Sequence, residues 1–188
     1  PGREGEVTPV FVYTNYPTAE LFINGKSYGK QSKNNSSLKS RYRLMWMDAV
    51  YEPGEVKVVA YNKDGKAVAE KTVRTAGKPH HIELVSNRNE LTADGKDLAY
   101  VTVKVVDKDG NLCPTDSRLI HFSVKGAGKF RAVANGDPTN LEQFHLPKMH
   151  AFHGMLTAIV QAGEIAGDLV LTAKASGVKT GTVHLQAK

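Results

Sequence analysis

Cysteine is almost missing from this sequence. Cys113 stands alone, so no disulfide can close within the chain, and disulfide scaffolds and multi-cysteine zinc sites are excluded. No apolar run approaches the roughly 20 residues that carry a helix across a bilayer. No long segment shows the three-to-four spacing of an amphipathic helix. Charge of one sign never accumulates: the net +6 is spread over 188 residues without a run of five like charges. Nucleic-acid surfaces gather Lys and Arg with aromatics between them. Only Lys39-Ser40-Arg41-Tyr42-Arg43 comes near that pattern, so neither nucleic acid nor membrane is an expected partner. The chain opens Pro1-Gly2-Arg3-Glu4-Gly5, without an initiator Met, a basic n-region or an apolar h-region. The expectation is a piece cut from a longer protein, with any localisation signal upstream.

What is present is ordinary globular material, 40% hydrophobic and 23% charged, and it reads as strands. Thr8 to Tyr13 is rich in β-formers. Ala19 to Ile23 and Lys26 to Gly29 flank Asn24-Gly25, a hairpin signal because a type I′ turn needs positive φ at both central residues. Tyr42 to Val50 reads as a longer strand, broken by Glu52-Pro53-Gly54. Glu55 to Asn62 alternates, with Val56, Val58 and Ala60 on one side and Lys57, Val59 and Tyr61 on the other. Lys63-Asp64-Gly65 turns the chain into Lys66 to Thr75. Ala76-Gly77-Lys78-Pro79 then reads as a linker without an apolar anchor.

The pattern restarts with His81 to Val85 and Leu98 to Val106, where Val101, Val103 and Val105 alternate with Thr102 and Lys104. Asp107-Lys108-Asp109-Gly110-Asn111 is a turn. Strands are expected at Arg118 to Lys125, Lys129 to Ala134, Met155 to Gln161, Asp168 to Ala175 and Thr180 to Gln186. Short strands at this spacing predict an all-β chain of two consecutive immunoglobulin-like β-sandwich domains, 1–77 and 78–188. Asn135 to Gly154 breaks the rhythm. Pro138 and Pro147 remove ladder donors there, so it reads as a long loop of a functional or interface kind.

Few residues suggest chemistry. Glycoside hydrolysis needs two positioned carboxylates, but Asp64, Asp94, Asp107, Asp109 and Asp116 fall in turns, where Asp bonds backbone amides. His145, His150 and His153, with Asp137, are the best metal candidates. His150 and His153 share a helical spacing, yet the set matches no zinc signature and Pro147 interrupts it. Neither a metal nor another cofactor is expected. Cys113, in Leu112-Cys113-Pro114, reads as a small packed side chain. Gly126-Ala127-Gly128-Lys129 lacks the spacing and the following helix of a phosphate loop. Tyr13, Tyr16, Tyr28, Tyr42, Trp46 and Tyr51 crowd the first block. A sugar-stacking platform is one reading of them, although Leu44-Met45-Trp46-Met47 is apolar enough to bury Trp46.

Taken in order, the motifs resemble a known family. Val12-Tyr13-Thr14-Asn15, then Glu20-Leu21-Phe22-Ile23-Asn24-Gly25-Lys26-Ser27, resembles the start of a sandwich domain in family 2 glycoside hydrolases of the β-galactosidase type. Trp46, Tyr51-Glu52-Pro53-Gly54-Glu55, Val59-Ala60-Tyr61, Asp64-Gly65 and Arg74-Thr75-Ala76-Gly77 continue the likeness. Leu91-Thr92-Ala93-Asp94-Gly95, Val105-Val106-Asp107, Asp109-Gly110-Asn111, Asn135-Gly136-Asp137 and Ala151-Phe152-His153-Gly154 resemble the C-terminal Ig-like domain of those enzymes. Phe-His-Gly stands where the family more often has Phe-Asn-Gly.

The resemblance implies that both catalytic glutamates lie in an upstream TIM barrel, so no catalytic residue is assigned here. It implies a non-catalytic C-terminal part of a bacterial glycan-degrading enzyme, working in the periplasm or outside the cell. Such a part would brace the barrel, shape the active-site rim or join subunits. The expected partners are the upstream barrel of the same parent chain, with carbohydrate and a second copy of the parent also open. The alternative is a carbohydrate-binding or adhesin-type Ig-like module with no enzymatic role.

Overall fold

A computed structural model describes residues 2–188, and these contain strands and turns without α-helix. The chain divides into two compact units, residues 1–75 and 76–188.

The first unit holds β1 (Val10–Tyr13), β2 (Thr18–Ile23), β3 (Lys26–Ser32), β4 (Arg43–Trp46), β5 (Glu55–Tyr61) and β6 (Ala67–Arg74). A four-stranded antiparallel sheet runs β3-β2-β5-β6, and a two-stranded sheet pairs β1 with β4. The expected hairpin joins β2 to β3, with φ of 49° at Asn24 and 82° at Gly25. Alternation along β2 buries Ala19, Leu21 and Ile23. They pack against Leu44, Trp46, Ala49 and Ala60. Trp46 is buried, and its indole N–H donates to the Gly29 carbonyl at 3.1 Å.

The strand expected over Tyr42 to Val50 is only four residues long. The chain turns at Met47-Asp48, and Val50 rejoins as an isolated bridge to Val7. β3 instead runs three residues past its expected end.

The second unit holds β7 (His81–Ser86), β8 (Glu90–Leu91), β9 (Leu98–Val106), β10 (Leu119–Gly126), β11 (Gly128–Ala134), β12 (Lys148–His150), β13 (Met155–Ala162), β14 (Gly167–Lys174) and β15 (Gly181–Ala187). They form a four-stranded sheet β11-β13-β9-β7 and a five-stranded sheet β12-β10-β14-β15-β8. This is an immunoglobulin-like β-sandwich. β9 and β13 pair antiparallel, and their alternation sends Val101, Val103 and Val105 inward with Leu156, Ala158 and Val160. Ile120, Leu169, Leu171 and Leu185 close the core from the other sheet.

The expected linker is anchored, contrary to its sequence reading. Ala76 packs against the second core, and the Gly77 amide donates to the Asp107 carboxylate at 2.8 Å. Both residues side with the second unit because Asp107 is a buried acceptor that needs donors. The break therefore falls two residues before the 77/78 boundary read from the sequence.

Candidate functional site

Most of the displaced carboxylates serve the backbone. Asp107 accepts the amides of Gly77, Asp109 and Asn111 and the Asn111 side-chain amide. The Gly77 amide and the Asn111 side chain hold it far below the ordinary carboxylate range. Asp94 accepts Lys96 and Asp97 amides, and Asp97 accepts the Thr92 amide. Both are shifted down by these bonds. Burial pushes Asp116 up, but the Arg118 guanidinium and amide outweigh it and leave the carboxyl lowered. Asp137 is lowered by the Thr139 amide and hydroxyl, and Glu20 by the Ser27 hydroxyl. Every displaced carboxyl among the described residues is displaced downward. A glycosidase general acid needs the opposite, a carboxyl raised so that it holds its proton near neutrality.

The three loop histidines do not converge. His150 Nδ1 lies 3.0 Å from Glu142, and His153 Nδ1 lies 3.2 Å from the Pro114 carbonyl oxygen. His145 is exposed. The segment is not helical, so the i, i+3 spacing puts no shared face on His150 and His153. Among the described residues no cluster of three His, Cys, Asp or Glu side chains is placed to hold a metal ion. The Cys113 thiol is buried, and desolvation pushes its pKa up, which disfavours the nucleophilic thiolate. Gly126-Ala127-Gly128 is the tight turn from β10 into β11, with no helix to cradle phosphate.

The Asn135 to Gly154 segment is not loop throughout. Lys148–His150 pairs with β10, and Pro147 sits just before it, where a missing N–H breaks no ladder. Met149 is fully buried in the second core. Leu141 and Phe144 remain outside, 96% and 55% exposed.

Two candidate surfaces lie on the first unit. β1 pairs Phe11 with Met45 and Tyr13 with Arg43, which puts these four on the outer face of the small sheet. Tyr13 is 69% exposed, Tyr42 is also exposed, and the Arg43 guanidinium lies 5.4 Å from the Phe11 ring centre. Behind β1 a groove of about 380 Å³ runs between Val10–Thr14 and the inner face of β5 and β6.

Comparison with known proteins places this frame. The family described as glycoside hydrolase family 2 C-terminal domain 5 matches residues 82–184, more than half of the chain. The chain belongs to glycoside hydrolase family 2. A domain of unknown function (DUF4982) matches residues 5–69. A β-galactosidase of Bacteroides ovatus is 42% identical over 94% of this chain and 20% of its own length. A β-galactosidase of Thermoanaerobacter pseudethanolicus is 30% identical over 88% of this chain and 22% of its own. The crystal structure of a β-glycosidase from Bacteroides vulgatus superposes on all of this chain and 23% of its own, with TM-score 0.91 and 29% identity. The chain thus spans about a fifth of the length of the curated relatives it matches.

Proposed function

We propose that this chain is the non-catalytic C-terminal part of a β-galactosidase-like glycoside hydrolase, whose reaction is carried out by a barrel elsewhere in the parent chain. One observation carries the reading: a relative named β-galactosidase matches nearly all of this chain with a fifth of itself. The chemistry agrees, since Asp94, Asp97 and Asp107 are fixed acceptors of backbone amides and all three are shifted down. The role is to brace the barrel, shape the rim of its active site or join subunits. A parent working in the periplasm or outside the cell belongs to the same reading, on family resemblance.

The test assays the 188-residue chain and the full-length parent against aryl β-galactosides. The parent turns over and the chain does not. Turnover by the chain that disappears when one of its own acids is changed overturns the reading.

Phe11 and Tyr13, both exposed on β1, favour a second reading, a surface that stacks carbohydrate. Titrating galacto-oligosaccharides into the isolated chain while following tyrosine fluorescence decides it. Saturable binding lost on Tyr13→Ala supports the platform, and no binding removes it.

A further inference from the structure

In the first unit the two layers are unequal. The large sheet is four strands wide, β3-β2-β5-β6, and the small one is two. β4 lies against β3 and β2, and β1 bounds the groove over β5 and β6. One strand position of the second layer is therefore unfilled, and it lies over β6. Among the described residues β1 hydrogen-bonds to β4 on one side and to no strand on the other. The floor of the groove is set by register: Val56 pairs with Val73, Val58 with Lys71 and Ala60 with Ala69, so these six share the face that the rest of the unit buries. Val73 on that face is 61% exposed.

An inward lysine is one of the devices that guard a free sheet edge, and Lys71 alone would fit that account. It leaves unexplained a valine standing open beside two half-buried valines on a core-facing surface. An apolar floor with a free backbone edge along one wall is the geometry that receives an extended strand. We propose that this groove seats an extended segment of the parent chain, from outside these 188 residues, which adds a strand beside β1 and covers β6. Its alternate residues face Val56, Val58 and Val73 and are apolar, and a carboxylate among them meets Lys71. About four-fifths of the length of the matching relatives lies outside this span, so the parent has chain to supply. Tethering supplies it at high effective concentration. A lone segment fits a slot one strand wide, whereas the β1 of a second copy brings β4 and the four-stranded sheet packed behind them. The inference rests on the chain being part of a longer hydrolase.

The experiment compares backbone hydrogen exchange of peptides covering 8–14 and 67–74 in the full-length parent and in the 188-residue chain. Its variant is Val73→Asp, and aryl β-galactosidase activity is measured on the same parent preparation. A seated strand slows exchange of 8–14 at least about tenfold in the parent relative to the chain. V73D then abolishes the difference in the parent and leaves the chain's exchange unchanged. Equal exchange of 8–14 in both proteins overturns the proposal. So does protection in the isolated chain that rises with its concentration, which assigns the groove to a second copy. A parent without glycosidase activity that still shows the protection refutes the functional reading and leaves the strand seat standing.

Discussion

Two turns show what single residues decide. Asn24 takes the first left-handed position of the β2–β3 hairpin, and its side chain then reaches across: Oδ1 accepts the Glu55 amide at 2.8 Å and Nδ2 donates to the Pro53 carbonyl. Gly54 makes room for it, since a Cβ there would stand 2.0 Å from Asn24 Oδ1 and its φ is 137°. Gly54→Ala therefore costs on two counts, contact and backbone strain, about 2 kcal/mol or more, read as a lower denaturant midpoint.

His153 is the counterpart in the second unit. With φ of 51°, followed by Gly154 at 75°, it forms a two-residue hairpin closed by Phe152 and Met155. Asn suits that left-handed site better than His, which gives a physical reason for the Phe-Asn-Gly expected of the family. His153→Asn leaves stability unchanged or raises it by up to about 1 kcal/mol in thermal unfolding. A clear loss would mean that the contact to Pro114 outweighs the turn. Asp107 adds a pH dependence. Its folded pKa is depressed, so its stabilising effect is fully present above the unfolded value near 4 and declines as pH falls below it. Acid titration of Asp107→Asn should lack that part of the decline.

At the scale of the element, the 135–154 segment separates what alternation reveals from what it hides. β9 and β13 were legible because Val-x-Val-x-Val and Leu-x-Ala-x-Val state their buried face outright. β12 was not, because three residues are too few to establish a period and Pro147 argues against a strand. β8 escaped for the same reason: it is two residues long and pairs parallel with β15. Met149 follows β12: in a segment that reads as a loop of a functional or interface kind, it lies fully buried in the sandwich core. The backbone-bonding role of Asp94 and Asp107 was visible in their turn positions. The groove beside β1 was invisible, because no local pattern says where the second layer of a sandwich stops.

The segment now divides into two testable halves. Met149→Ala removes a fully buried side chain and costs the isolated chain about 2–5 kcal/mol. Leu141→Ser with Phe144→Ser, both at exposed positions, moves it by no more than about 0.5 kcal/mol. If the pair destabilises the full-length parent by several times that amount, the loop tip is buried there. If parent and chain respond alike, the tip faces solvent in both.

For the whole molecule, the two cores are unequal in a way that orders their unfolding. The first unit buries Leu21, Ile23, Leu44 and Trp46, but its other buried positions are alanines, Ala19, Ala49 and Ala60, and the inner face of β6 is left open. The second unit closes two sheets over many valines and leucines, with Phe122 and Phe130 stacked at 5.8 Å. Small domains bury a lower fraction of their surface than larger ones, and each buried aliphatic side chain contributes about 1.5–3 kcal/mol. The 188-residue chain should therefore melt in two transitions, residues 1–75 first. Leu21→Ala and Leu171→Ala assign them. Each removes a fully buried leucine and costs about 2–5 kcal/mol, enough to move the transition of its own unit by roughly 8 °C or more. Differential scanning calorimetry of the two variants reads the result. Leu21→Ala lowers only the first transition and Leu171→Ala only the second. A single transition that both substitutions shift equally would mean that the units unfold as one, and the division at residue 75 would then describe geometry without thermodynamic independence.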